Sequence, residues 1–417
     1  MPAAADPVRL LDRHLAAQAP AAVALLRRLV RVRTVNPPGD DYDAMTRLLA
    51  AELDGIGLRT RRLSPPRALQ RRLLPDGPPR WNVLGFWDAG AAKTVHLNAH
   101  YDVVPVSGRW RHGDAFSGRV ERGWIHGRGT ADMKGAIASI LVALRALRAS
   151  GVRPRCNVEV SFTADEETDS ALGAGWLVRS GELRADYALV GEGGEGDRVC
   201  CGHNGVVWLE VTVHGRAAHG STPERGVNAL EHLAGLVVAL QRHRDRLARR
   251  RFRAPDGRVL RPTLNIGGVF GPGEGGKVNT VPALARFTLD RRVLPNEDHA
   301  AAERELRLAL ADAARRIPGC RVTVAKLAES SACHVDPAAP FFRAVQAAVA
   351  RVRRRPAVAS VSTGFNDMHF FAHHLRLPTV GYGPGGQDYH AIDERARVKD
   401  LVDSARIYAG LLATFEG

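Results

Sequence analysis

Five separated fragments of the chain carry side chains that bind divalent cations well. They are Asn98-Ala99-His100-Tyr101-Asp102, Gly129-Thr130-Ala131-Asp132, Asp165-Glu166-Glu167, Gly191-Glu192-Gly193 and Tyr389-His390. Two imidazoles and several carboxylates, with no cysteine among them, make an oxygen and nitrogen ligand set. Such a set suits zinc, cobalt or manganese rather than a thiolate-held structural zinc. In His100-x-Asp102 the two side chains of an extended segment point the same way, so Asp102 can orient the imidazole and fix its tautomer. Asp132 carries a carboxylate able to bridge two cations, as two-metal hydrolytic sites require. Glu166 and Glu167 are adjacent and need not do the same job: one can hold a cation while the other serves a water as general base. The spacing leaves open which does which.

The elements around these residues can bring them together. Thr94 to Asn98 reads as a short strand ending near His100. Val158 to Phe162 is a strand leading to Asp165, and Tyr187 to Val190 one leading to Glu192. A helix follows Asp132, with Ile137, Ile140, Leu141, Leu144 and Leu147 at helical spacing. Alternating strands and helices imply a largely parallel sheet, whose strands present ligands at their carboxyl ends. Residues 6 to 57 read as two helices separated by the turn Val35 to Gly39, and the Arg/Pro-rich segment 64 to 80 as a surface loop.

The pattern changes near residue 203. Val206 to Val213 reads as a strand, Val227 to Arg249 as a helix, and Leu264 to Phe270 and Ala285 to Leu289 as strands. Glu297 to Ile317 is again helical and Val322 to Leu327 a last strand. This β-α-β-β-α-β order describes a ferredoxin-like insert. The expected architecture is therefore an α/β catalytic domain of residues 1–203 and 329–417, interrupted by an α+β domain of residues 204–328.

Composition sets the outer limits. A chain of 417 residues, 45% of them hydrophobic, can bury a large core. The net charge of +15 raises nucleic acid as a partner. The arginines, however, are spread through the chain, and only Phe252 interrupts their local clusters as an aromatic, so no stacking platform for single strands is expected. Cysteines 156, 200, 201, 320 and 333 are odd in number and irregularly spaced, which does not describe a disulfide framework. No apolar run is long enough to span a membrane, and the apolar stretch Ala19 to Leu26 fits an amphipathic helix better than a leader. A soluble, cytoplasmic protein is expected.

The fragments His100 to Pro105, Gly127 to Gly135, Ala164 to Glu167 and Tyr389 to Glu394 resemble the M20 metallopeptidase family. That family includes acetylornithine deacetylases, succinyl-diaminopimelate desuccinylases, aminoacylases and glutamate carboxypeptidases, and the likeness covers nearly the whole chain. It implies a zinc-peptidase-like catalytic domain with a lid and dimerisation insert, two divalent ions per subunit, and a homodimer. It also implies roles: His100 and Glu192 on one ion, Glu167 and His390 on the other, Asp132 between them, Glu166 as general base and Asp102 orienting the histidine. Within the insert, Gly215 to Gly220 resembles the family's lid motif, in which His219 would reach the partner's active site and stabilise an oxyanion. The segments Gly276 to Pro282 and Asp290 to Pro295 match patterns in which Asn279 and Arg292 bind the substrate's carboxylate.

The stretch Gly381 to Gly386 lacks the lysine and following helix of a phosphate loop. Its backbone, including Gly383 and Gly385, is expected to line the substrate pocket. Thr363 to His369 departs from the family's pattern, keeping Asp367 but carrying Phe365, Asn366 and His369. That segment bears on specificity more than on hydrolysis. The implied activity is removal of the acyl group from an N-acyl amino acid. A carboxypeptidase or dipeptidase with the same machinery is the nearest competitor, and a non-catalytic binding protein on the same scaffold the rival of another class.

Overall fold

The computed structural model describes residues 6–272 and 277–417. The chain forms two compact units: residues 1–202, 334–362 and 366–417 make one, and residues 203–333 with 363–365 the other.

A nine-stranded sheet organises the first unit. At its centre Thr94–His100 pairs in parallel with Asn157–Thr163 on one side and Tyr187–Val190 on the other. Thr379–Gly381 continues the parallel run beyond Tyr187–Val190. Antiparallel pairings flank this centre, with Asn82–Trp87 against Asn157–Thr163 and Arg59–Leu63 outside it. Every residue of Thr94–His100 is buried, as expected of a parallel strand covered on both faces.

The helix Lys134–Ser150 packs under the sheet's ligand-bearing strands and buries Ile137, Ile140, Leu141, Leu144 and Leu147. Each of these side chains contributes about 1.5–3 kcal/mol of burial free energy. The closing helix Val398–Thr414 packs beside it, and Ser139 Oγ donates to the Leu401 carbonyl at 3.0 Å. Lys134 is wholly buried and donates to the Leu29 and Val32 carbonyls at the end of the helix Ala19–Arg31. Those carbonyls already accept from the Val32 and Thr34 amides, so the buried amine is a second donor to each and ties the start of one helix to the end of another.

Two expectations need correction. Residues 6 to 57 form three helices, Pro7–Ala16, Ala19–Arg31 and Tyr42–Ile56, because Pro20 belongs in a first turn and starts a new helix. The segment 64–80 is not all surface loop: Arg67–Leu73 is helical, and Arg80 at its end is 1% exposed. A small sheet of Arg119–Glu121, Trp124–His126 and Arg395–Arg397 was not foreseen. Its strands are three residues long, too short to show a period.

In the second unit Gly205–His214, Thr263–Pro272, Leu284–Val293 and Arg321–Ser330 form a four-stranded antiparallel sheet. Numbered along the chain, their spatial order is second, third, first, fourth, which is the ferredoxin-like arrangement. Val207, Leu209, Val211 and Val213 alternate inward. They meet Leu236 and Leu240 of the helix Ala229–Leu247 and Leu306 and Leu310 of His299–Arg315 in one core. Among the described residues no helix is long and apolar enough to cross a membrane.

Candidate metal centre

Register alone gathers most of the ligand candidates. His100 pairs with Thr163, and Asn98 with Val190, so three neighbouring parallel strands end side by side. His100 closes its strand, Glu166 and Glu167 lie in the 3-10 turn Glu166–Thr168 after the second, and Glu192 follows the third. Asp132 stands two residues before the first residue of the helix Lys134–Ser150. His390 comes from the turn before Arg395–Arg397, with φ of 57°.

Asp132 stands in the middle. Its Oδ1 lies 3.1 Å from His100 Nε2 and its Oδ2 lies 3.2 Å from His390 Nε2. Glu192 Oε2 is 3.3 Å from His100 Nε2, and Glu167 Oε2 is 3.1 Å from His390 Nε2. The donors thus form two triads, His100–Asp132–Glu192 and Asp132–Glu167–His390, each with its ligand atoms within 4.8 Å of one another. Glu166 belongs to neither triad; its Oε2 stands 3.8 Å from His100 Nε2.

Asp102 and several residues that sequence reasoning gave no role hold this arrangement. Asp102 meets His100 Nδ1 mainly through its backbone carbonyl, at 3.1 Å, with its carboxylate at 3.5 Å. That carboxylate instead accepts from the Glu166 and Glu167 amides, each at 3.2 Å, and from Asn36 Nδ2 at 2.9 Å. Arg80 Nε donates to both Asp165 oxygens, at 2.8 and 2.9 Å, and Tyr42 donates to the same carboxylate. On the other side Arg128 pairs with Glu394 at 2.6 Å and donates to the His390 carbonyl. Glu394 accepts from the Ala131 and Asp132 amides, so one carboxylate fixes the Asp132 turn and the His390 turn together. Asp367 accepts from Ser170 and is buried. Glu394 and Asp367 stand inside recognisable motifs, but only the folded chain shows what they touch.

The electrostatics are those of crowded, dry carboxyls. Burial and the Glu192 charge push the Glu166 carboxyl well up. Burial and Asp132 push Glu167 to about 7, and burial raises Glu192 and takes Asp367 to about 7. Burial would raise Asp132 too, but its hydrogen bonds to His100 and His390 hold it well below the carboxylate range. Hydrogen bonds to Asp132 and Glu167 raise His390 to about 10. Burial would lower His100, yet hydrogen bonds to Asp102, Asp132 and Glu192 raise it. So many acids at one buried point repel unless positive charge is supplied. The donor set fits divalent cations: imidazole Nε2 atoms and carboxylate oxygens converge, and one carboxylate presents an oxygen to each triad.

The substrate contacts expected from the sequence fall in two places. In the first unit, the Gly383 amide donates to the Gly194 carbonyl, and a Cβ at Gly383 would lie 1.8 Å from the Gly191 oxygen. At Gly385 φ is +63° and a Cβ would meet Glu195 Oε2 at 1.9 Å. Both glycines are required by close packing against the segment that carries Glu192. In the second unit His219 and Asn279 are exposed on adjacent segments, with the Gly220 amide donating to the Asn279 carbonyl at 2.7 Å. Gly276, part of the motif around Asn279, lies outside the described residues. Arg292 is 27% exposed and pairs with Asp290 at 3.0 Å. Its neighbour Arg291 is buried against Glu297 and has no free face.

A parallel sheet that delivers an imidazole and carboxylates from its strand ends to an aspartate shared with a second imidazole is the framework of a metal-dependent hydrolase of peptide and related amide bonds. The profile of peptidase family M20/M25/M40 matches residues 96–414, and the chain belongs to that family. It is 28% identical over 407 residues to a succinyl-diaminopimelate desuccinylase of Rhodopseudomonas palustris, covering 95% of this chain and 98% of that one. It is 30% identical to the enzyme so named from Methylocella silvestris, covering 94% and 98%. Among solved structures, human carnosine dipeptidase 1 shares the fold with a TM-score of 0.77 at 17% identity, covering 97% of this chain and 99% of that one. An M20 family metallo-carboxypeptidase from Sulfolobus solfataricus does so with 0.77 at 18% identity, covering 95% and 99%.

Proposed function

We propose that this chain is a cytoplasmic, homodimeric deacylase that removes the acyl group of an N-acyl amino acid, using two divalent ions per subunit. Zinc is the first choice of metal, with cobalt or manganese as alternatives of the same donor preference. The observation that carries the reading is Asp132, whose two oxygens face the imidazoles of two separate triads. We assign His100 and Glu192 to one ion, Glu167 and His390 to the other, and Asp132 to both. When bound, such ions lend Lewis acidity to the scissile carbonyl and to the attacking water.

The side chains do the rest. Glu166, outside both triads and 3.8 Å from His100 Nε2, takes the proton of the attacking water and returns it to the leaving amine. Its burial suits that task, because a carboxylate raised above its usual range is a stronger base than an exposed one. Asp102 holds the Glu166-Glu167 turn and His100 in one frame. His219 meets the developing oxyanion, and Asn279 and Arg292 hold the substrate's carboxylate. The backbone at Gly383 and Gly385 lines the pocket.

A homodimer is supported within the second unit. His214 pairs with Leu284, and the ladder runs on through Gly215–Ala283, Ala218–Val281 and Gly220–Asn279. Arg292 pairs with Val206 at the opposite end of the same strands. Eight residues of strand put it about 26 Å from Leu284, and farther from His219. His219 and Arg292 can meet one small substrate only if two chains supply them.

The substrate class rests on relatives whose name describes removal of a succinyl group from diaminopimelate. The decisive test offers the purified protein N-succinyl-diaminopimelate, N-acetyl amino acids and dipeptides with zinc, cobalt or manganese. Cleavage of an N-acyl amino acid, lost on chelation and restored by metal, is expected. Preferential cleavage of dipeptides would move the assignment to the dipeptidase branch. Absence of all turnover in metal-loaded protein would favour a binding protein on this scaffold.

A further inference from the structure

A second group of ligand-type side chains lies on the small sheet that the sequence did not foretell. His126 ends the strand Trp124–His126, Glu121 ends Arg119–Glu121, and His112 comes from the segment that precedes them. A ligand atom from each lies within 4.8 Å of the others. The imidazoles stand edge to face with centroids 4.6 Å apart, and His112 Nε2 is 3.5 Å from Glu121 Oε2. His126 is 6% exposed, and its Nδ1 has no hydrogen-bond partner among the described residues. His112 Nε2 is buried and likewise makes no hydrogen bond.

Two buried ring nitrogens that make no hydrogen bond, beside one carboxylate, are costly as a purely structural arrangement. We propose that His112, Glu121 and His126 form a further cation site, sharing no residue with the Asp132 centre, that takes a transition-metal ion of the zinc class. Two imidazoles and a carboxylate are a borderline-soft set that suits zinc and disfavours magnesium or calcium. Three protein ligands leave one tetrahedral position for water. The 40% exposed Glu121 carboxylate can swing to close the set. Burial, with His112 and Arg395 nearby, holds His126 below the usual histidine range. Arg395 is itself engaged by Gln387 and Asp388, and Arg111 and Arg122 are exposed, where solvent and salt screen their charge. The ion would tie the segment around His112 to the hairpin of Arg119–His126.

Zinc content is measured by equilibrium dialysis of the full chain and of His112→Ala and Glu121→Gln against the same buffered free zinc. The wild type is expected to hold one ion more per chain than His112→Ala, and Glu121→Gln to require at least tenfold more free zinc for that ion. Equal zinc content at every free-zinc level in all three proteins would overturn the proposal. Because the readout is a difference, it is independent of how many ions the Asp132 centre binds. Glu121→Gln alters an exposed side chain and keeps the test valid if His112→Ala does not fold. Both variants should keep the hydrolytic activity of the metal-loaded wild type, since neither residue belongs to its machinery.

Discussion

At the scale of single residues the two adjacent glutamates have separated. Glu167 faces His390 within a triad, whereas Glu166 stands apart from both triads and close to His100. Glu166→Gln keeps the shape and removes the proton acceptor, so it should retain bound metal and lose turnover by about 10²–10⁴-fold. Metal analysis beside a rate measurement checks it, and an active variant would remove Glu166 from the base role. The Arg291–Arg292 pair allows a similar separation. Arg292→Ala should raise KM for a carboxylate-bearing substrate with little change in Tm. Arg291→Ala should instead lower Tm, because it removes the buried guanidinium that pairs with Glu297. The residues that gather in the two triads were legible, since their types announce metal-binding chemistry. Their supports were not. Asn36, Arg80 and Arg128 act through hydrogen bonds to residues far along the chain, and nothing in their local sequence points there.

Elements were legible wherever burial imposes a period. The central strands and the helix after Asp132 follow from apolar residues at strand and helical spacing. Short elements escaped, and so did Arg67–Leu73, whose arginines read as solvated loop. The second unit depends on one polar cluster inside its element packing. Glu297 accepts from Arg250 at 2.8 Å, from the buried Arg291 at 2.7 Å and from the Leu294 amide at 2.8 Å. Burial would raise this carboxyl, but those donors hold it below the usual carboxylate range. A carboxyl lowered in the folded state stabilises fully above its unfolded pKa, and loses that contribution as pH falls through the folded value. The wild type should therefore lose stability on acidification below the ordinary glutamate range. Glu297→Gln should be about 3–5 kcal/mol less stable at neutral pH, with a flatter acid limb. Denaturant unfolding at a series of pH values checks both. Parallel acid limbs for the two proteins would show that Glu297 does not carry the dependence.

For the molecule as a whole, the +15 charge says little about the reaction, and the placement of the insert's residues says more. The family resemblance sent His219 to the partner's active site and gave Asn279 and Arg292 to the substrate's carboxylate. The sheet register sets the first two at one end and the third at the other, a separation that no spacing along the chain could reveal. The proposed completion of each site across a twofold dimer can be tested without a structure of the complex. His219→Ala and Glu166→Gln subunits, each nearly inactive as homodimers, are unfolded together, refolded and assayed. In a mixed dimer the His219→Ala subunit keeps Glu166 and receives an intact His219 from its neighbour, so one of its two sites works. Random pairing makes half the dimers mixed, and about a quarter of wild-type activity should return. If each chain instead supplied its own His219, every site in the mixture would lack one of the two residues and the activity would stay at the level of the parents. That outcome would place His219 in the same subunit as the glutamate it serves.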